Sequence, residues 1–352
     1  MTDGSERLSM VGPEGRALAV EWWGDPDGYP VFLLHGMPGS RLGPRPRGIV
    51  LERMGIRLIS YDRPGYGLSD RQAGRAVASA GIDVERIAES LKLEEFAVAG
   101  RSGGGPHALA CAARMQERIQ RVALLVSVAP PDAPGLKWDD GMSELNVRDF
   151  ADVDRSMADA PAGAMPEAAE LAQRAAVMQE DPESLIRFLQ PELTASDRRF
   201  VDDRAMRDLL TATYAEAVRR GGAGWIDDAI ALRSPWDFKF DEISCPVLLW
   251  HGGDDRFSPV SHTHWMAEQL RAARRYEEDK LQVKVQVDRG AAHFAAFEIF
   301  TDVLSWLVDP HLAPAPSLVR TAEDRVLGGS GFHSAAQPRS DARDQSVLRV
   351  GR

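Results

Sequence analysis

Only two cysteines occur in 352 residues, Cys111 and Cys245, and so sparse a pair excludes a disulfide-stapled scaffold. One falls in an expected helix and the other at the head of an expected strand, positions typical of small buried thiols. No apolar run approaches the ~20 residues that cross a bilayer, so no membrane partner is expected. Basic charge is in deficit too: 42 Lys and Arg against 53 Asp and Glu leave a formal net charge of −11. That balance repels a phosphate backbone, and no basic stripe interleaved with aromatics opposes it, which argues against nucleic acid as a partner. Residues Met1 to Gly15 lack the basic-then-apolar order of a secretory signal, so a cytoplasmic location is expected. There is no internal repeat. No ligand spacing such as His-Glu-x-x-His calls for a metal, and no cofactor is implied.

What is present is a 44% hydrophobic chain long enough for one large α/β domain with an insertion. Short apolar runs punctuated by glycine and proline alternate with helical stretches, the pattern of a mostly parallel central sheet flanked by helices. Ala17 to Trp23 reads as an early antiparallel strand and Val31 to Leu34 as the first inner one. Arg57 to Ser60, Phe96 to Ala99, Val122 to Val128, Val247 to Trp250 and Val283 to Val287 supply the others. Helices are expected over about 43–54, 74–92, 105–117, 260–275 and 294–308.

From Pro130 to roughly Phe240 the strand signal vanishes. Alanine-, glutamate- and arginine-rich stretches replace it, broken by Pro161, Pro166, Pro182 and Pro191, which reads as an inserted helical cap. The cap holds five of the eleven methionines (Met142, Met157, Met165, Met178, Met206) with Trp138, Phe188, Phe200, Tyr214 and Trp225. Most of these are ordinary helix core, and some are expected to line a pocket, where methionine suits irregular apolar ligands. The expected layout is core from 1–129, cap from 130–240, core again from 241–309, and a disordered tail over 310–352. The tail has too few apolar residues to offset the entropy of ordering it, Leu318, Val319 and Val326 being the exceptions.

Chemistry concentrates where strands end. The apolar run Phe96 to Ala99 leads into Gly100-Arg-Ser-Gly-Gly104 and then a helix-like stretch from Pro106 to Met115. A serine on so sharp a strand-to-helix turn occupies a sparsely populated φ/ψ region that only small neighbours permit. Ser102 is thereby the candidate nucleophile, and the Gly103 N–H at the helix start is a candidate oxyanion donor. Upstream, Val31-Phe-Leu-Leu-His-Gly-Met-Pro-Gly-Ser40 places free N–H groups after an inner strand, with Met37 the second donor. His35 in that loop is read as structural, with proton transfer as the alternative. The turn Tyr61 to Asp70 is expected to fix backbone near the site.

Downstream, Cys245 to Trp250 ends in His251-Gly-Gly-Asp-Asp-Arg-Phe-Ser-Pro259. Asp255, four residues before the proline that opens the next helix, is the candidate triad acid, with Asp254 capping the loop; Asp132 is an alternative acid. After the last strand, Asp288-Arg-Gly-Ala-Ala-His293-Phe offers His293 as the general base. His107, His262, His264, His311 and His333 are read as packing or surface groups. An unassisted hydroxyl is a poor nucleophile at neutral pH, so His293 would take its proton and a buried carboxylate would stabilise the imidazolium.

The order Ser102, Asp255, His293 resembles the α/β-hydrolase fold superfamily over about 15–308. Within it the chain is similar to the capped serine hydrolases grouped with proline iminopeptidases, whose oxyanion segment is His-Gly-Gly-Pro-Gly and whose elbow usually reads Gly-Gly-Ser-Trp-Gly. Here they read His35-Gly-Met-Pro-Gly39 and Gly100-Arg-Ser-Gly-Gly104. Capped epoxide hydrolases and haloalkane dehalogenases share the layout but use aspartate where this chain has Ser102. The resemblance implies a serine esterase acting through an acyl-enzyme on a small or medium ester, lactone or related acyl compound. Arg101 and the cap are expected to set selectivity. Alternatives are an aminopeptidase on N-terminal proline, cofactor-free tailoring (C–C hydrolysis, perhydrolysis or cyclisation), and a ligand-binding protein on the same fold. Oligomeric state is not readable from the sequence.

Overall fold

A computed structural model describes residues 6–11, 15–161, 163–273 and 282–308. The tail expected to be disordered over 310–352, with His311, His333 and the apolar exceptions Leu318, Val319 and Val326, lies outside the described residues. Eight strands among the described residues form one sheet: β1 (Glu6–Val11), β2 (Ala17–Gly24), β3 (Tyr29–Leu34), β4 (Ile56–Tyr61), β5 (Phe96–Arg101), β6 (Ile119–Leu125), β7 (Val247–Gly252) and β8 (Val283–Asp288). Their order is β1-β2-β4-β3-β5-β6-β7-β8. β2 runs antiparallel to both β1 and β4, and every later pairing is parallel.

The strand sequences follow from this arrangement. Inner parallel strands are covered on both faces, so they carry continuous apolar runs. Val31 to Leu34 and all six residues of β7 are buried, whereas edge strand β8 is half-buried throughout. One face packs on α2 (Ser79–Ser90), α3 (Gly104–Arg114) and α10 (Val260–Ala272), around residues such as Phe32, Val98, Leu109 and Met266. The other packs on α1 (Gly48–Arg53) and α11 (Phe300–Val308), around Leu58, Ala99, Trp250 and Leu304. Cys111 and Cys245 are buried.

Between β6 and β7 there is no strand among the described residues. Six helices stand there instead: α4 (Glu144–Asp159), α5 (Ala169–Glu180), α6 (Ser184–Leu189), α7 (Ala195–Asp202), α8 (Arg204–Ala217) and α9 (Ala223–Arg233). They enclose a third apolar cluster that includes Leu171, Met178, Phe200, Tyr214 and Trp225, and that reaches Phe257 and Phe294 on loops of the sheet domain. α7 starts on a reciprocal capping box between Thr194 and Asp197, which satisfies backbone groups that the helix start leaves open.

Three local expectations are corrected. β1 has no counterpart among the expected strands, because Glu6-Arg-Leu-Ser-Met-Val11 is too polar to register as one. β6 stops at Leu125 and does not run to Val128, since Val126 takes φ = 47°, where a β-branched residue cannot continue an extended chain. The stretch 294–308 is two pieces, a 3-10 turn over His293–Phe297 and then α11.

Candidate active site

The carboxyl ends of β3, β5, β6 and β7 face one side of the sheet, where open parallel sheets bind ligands. The loops leaving them carry His35, Ser102, Val126 and Asp255. Ser102 has φ = 52°, a left-handed conformation unusual for serine. Two hydrogen bonds hold it there: its N–H donates to Leu125 O on the neighbouring strand (2.8 Å), and its carbonyl accepts from Gly105 N–H (2.9 Å). The turn closes only because its flanks lack side chains. A Cβ on Gly100 would lie 2.3 Å from Gly104 O, and one on Gly104 would lie 2.3 Å from Leu34 O.

Met37 and Gly103 lie side by side: a Cβ on Gly103 would sit 2.9 Å from the Met37 Cβ and 3.5 Å from the Met37 nitrogen. Neither amide N–H donates to another group of the described residues. The loop that holds Met37 is braced from below by Arg63, whose guanidinium donates to His35 O (2.5 Å) and Gly36 O (3.0 Å). His35 takes the structural role expected of it. Its Nδ1 bonds Gly36 O (2.9 Å) and its Nε2 accepts the Arg63 N–H (3.2 Å).

His293 Nδ1 lies 2.8 Å from Asp255 Oδ2. Asp255 is buried, whereas its neighbour Asp254 is exposed, which separates the two carboxylates of the loop. The second oxygen of Asp255 accepts the N–H groups of Phe257 (2.8 Å) and Ser258 (3.0 Å). Burial alone would raise the Asp255 pKa, but the neighbouring His293 and His251 hold it well below the usual carboxylate range. The acid is thus ionised and can only accept, so Nδ1–H of His293 donates to it. Asp132, the alternative acid, is exposed and makes no contact with His293.

Ser102 and His293 both line one cavity of about 90 Å³, with Met37, Gly103, Arg101, Asn146, Leu171, Tyr214 and Trp225 among its walls. Helices α4, α5, α6, α8 and α9 therefore supply much of its wall. Tyr214 and Trp225 are there, but none of Met142, Met157, Met165, Met178 and Met206 is. The apolar lining from the helices is leucine and aromatic instead; Met178 of α5 is buried among the helices, and Met142, in the loop before α4, is buried in the core on one face of the sheet.

Sequence reasoning missed several participants. His251 bonds Thr263 Oγ1 (2.8 Å) and Ser258 O (2.5 Å) and stands 3.4 Å from Asp255 Oδ2. Ser258 Oγ bridges Val126 O (2.6 Å) and Asp255 Oδ2 (3.2 Å), so the irregular end of β6 is tied to the acid. Asp197 of α7 accepts the Phe294 N–H at 2.9 Å and clamps the histidine loop from above. The one available signal was the capping box at Thr194, which explains why Asp197 is there but not what else it holds.

His107 and His262 are packing groups, as expected, and both are held neutral. Burial and the adjacent Arg63 push His107 down to about 3; its Nδ1 bonds Gly103 O at 2.7 Å. Burial pushes His262 down to about 4. Its Nδ1 accepts the Ala129 N–H (3.0 Å) while Nε2 bonds Trp138 O (2.9 Å), an arrangement that protonation of Nδ1 would break. The folded pKa values lie below the unfolded value near 6.5, so acid favours the unfolded chain. No effect arises above about pH 6.5, and by pH 5 each histidine costs about 2 kcal/mol. The urea midpoint should accordingly fall between pH 7 and pH 5, and the fall should shrink in a His262→Gln variant.

Among the described residues no helix is long and apolar enough to cross a membrane. The family model described as alpha/beta hydrolase fold matches residues 29–298. A non-heme chloroperoxidase of Streptomyces lividans is 26% identical over 251 residues, 70% of this chain and 82% of that protein. A proline iminopeptidase of Neisseria gonorrhoeae is 33% identical over 104 residues, 29% of this chain and 33% of its own. Among solved structures, an esterase from Exiguobacterium antarcticum superposes with a TM-score of 0.61 at 21% identity, over 86% of this chain and 100% of that one.

Proposed function

We propose, from the premise that this chain belongs to the α/β-hydrolase fold family, that it is a serine hydrolase of carboxylic esters, lactones or related small acyl compounds, capped by residues 130–240. The observation that carries the reading is the buried His293–Asp255 hydrogen bond opening on the same cavity as a strained Ser102. In this reading His293 Nε2 takes the Ser102 hydroxyl proton as Oγ attacks the acyl carbon. The Met37 and Gly103 N–H groups receive the oxyanion, and the proton passes to the leaving oxygen. A water deprotonated by His293 then attacks the acyl-enzyme, releasing the acid and restoring Ser102. Asp255 orients the imidazole and stabilises its charge without accepting the proton.

An aminopeptidase needs an unpaired carboxylate for the substrate's free amine. Asp149, which lines the cavity, is already paired with Arg174, and this favours the esterase reading. The chloroperoxidase named among the relatives supports one variation, in which hydrogen peroxide replaces water as acyl acceptor and a peracid leaves. Labelling with a fluorophosphonate, followed by intact mass and peptide mapping, tests the core of the proposal. One adduct on Ser102, absent from Ser102→Ala, is the expected result. A folded protein that takes no adduct would overturn it and favour a ligand-binding role.

A further inference from the structure

Arg101 ends β5 and immediately precedes the nucleophile candidate. Its guanidinium carbon stands over the Phe297 ring, 3.8 Å from the centroid, with Phe294 at 6.0 Å. It borders two cavities. One holds Ser102 and His293; the other, of about 30 Å³, runs under the oxyanion loop past Gly36, Ser40, Thr213 and Phe300. Pro38, Arg101 and Tyr214 are walls of both, so these three residues stand where the cavities meet.

The buried arginines have carboxylates, and so does half-buried Arg174. Arg41 pairs with Asp62, Glu216 and Glu21, Arg63 and Arg75 share Asp228, and Arg174 in the same cavity has Asp149. Arg101 forms no ion pair among the described residues, and its Nη1 is buried without a hydrogen-bond partner. The carboxylates that act on it from a distance, Asp255 and Asp197, are engaged by His293 and by the Phe294 N–H. Burial pulls its pKa down only to about 10, so it remains a cation at neutral pH. Tyr214 hydroxyl donates to no group of the described residues, and burial raises its pKa to about 12, which keeps it a protonated donor.

Arg101 is half-buried, but a guanidinium nitrogen buried without a partner is costly, and an anion in the adjoining cavity would supply what Nη1 lacks. We propose that Arg101 and Tyr214 form an anion subsite beside Ser102, and that the preferred acyl substrate carries a carboxylate, as in a half-ester of a dicarboxylic acid or a lactone bearing a free carboxylate. The planar fork of a guanidinium matches a carboxylate in two parallel hydrogen bonds, and Phe297 packs against it. The subsite rests on the reading of Ser102 as nucleophile, which it refines by naming what the pocket selects.

The test compares 4-nitrophenyl hydrogen glutarate with 4-nitrophenyl valerate, and asks whether free glutarate slows fluorophosphonate labelling of Ser102. The wild-type protein should favour the anionic ester in kcat/KM by about tenfold or more after subtraction of its spontaneous hydrolysis, and glutarate should protect Ser102. In Arg101→Met the ratio of the two esters should fall towards one and the protection should vanish, while Arg101→Lys should keep part of both. Wild-type protein that is labelled at Ser102 and cleaves the valerate ester without preference or protection overturns the anion subsite and leaves the hydrolase reading standing. Absence of labelling overturns that reading instead. The wild-type ratio and the protection decide the matter even if Arg101→Met does not fold.

Discussion

Ser102→Ala lowers kcat on any hydrolysed ester by about 10³-fold or more, and His293→Ala by a similar factor, with the double variant scarcely worse than either. The three results belong together because the residues act as one unit. Without Oγ there is nothing to acylate; without the imidazole the hydroxyl keeps its proton at neutral pH. In the proposed mechanism, what survives is the polarising effect of the Met37 and Gly103 N–H groups on bound substrate. The acid is distinguished within the same experiment. Asp255 is buried and bonded to His293 Nδ1 at 2.8 Å, whereas Asp254 is exposed one residue away. Asp255→Asn should cost about 10²-fold or more through the loss of the imidazolium's counter-charge, while Asp254→Asn stays within about threefold of wild type. Steady-state kinetics on a 4-nitrophenyl ester decides the assignment, and equal, mild losses at both positions would sink it.

The site was legible in the sequence where chemistry and backbone geometry impose a local pattern. The elbow needs glycine at 100 and 104 because Gly104 O and Leu34 O occupy the space of any Cβ, and these glycines mark Ser102 only together with the preceding strand, the following helix and the ordered loops of Met37, Asp255 and His293. The inner strands showed themselves for a related reason, since burial on both faces requires unbroken apolar runs such as Val-Leu-Leu-Trp in β7. Asp255 was separable from Asp254 only by its spacing from Pro259, and its burial beside His293 is the physical reason. What stayed hidden has no local code. Val126 looks like one more strand residue, yet its positive φ ends β6 and lets its carbonyl take the Ser258 hydroxyl. Among the methionines and aromatics of residues 130–240, most were expected as helix core and some in the pocket, without a sign of which; Tyr214 and Trp225 line it and the five methionines do not. Which face of each helix points inward depends on packing among six helices, and there leucine, tyrosine and tryptophan won.

The least legible feature is also the one whose removal should damage the fold most. Asp228 of α9 lies 165 residues from Arg63, which donates to it from both Nε and Nη2. Arg75 Nη1 meets Asp228 Oδ1 at 2.5 Å, and the Tyr66 hydroxyl donates to Asp228 Oδ2 at 2.9 Å. All of these groups are buried. Burial by itself would raise the pKa of this carboxyl, but the two guanidinium groups hold it far below the ordinary range. Asp228→Ala leaves two arginines buried without a counter-charge, and breaking a buried pair in this way costs about 3–5 kcal/mol, a large part of the roughly 5–15 kcal/mol that holds a typical domain together. Urea unfolding should show that loss as a lower midpoint; a change below about 1 kcal/mol would mean that water or a side-chain rearrangement replaces the carboxylate. The sign with pH follows from the depressed pKa. The contribution of Asp228 is complete above the unfolded carboxylate value near 3.9 and is lost as pH falls below it, so Asp228→Asn should lose stability at pH 7 and flatten the acid limb of the stability curve. Function should suffer through the same contacts, because Arg63, once released by Asp228, no longer fixes the carbonyls of His35 and Gly36 that set the Met37 N–H in place. A variant that remains folded but turns over slowly, with Ser102 still present, would trace oxyanion stabilisation to a carboxylate on a helix of the inserted segment.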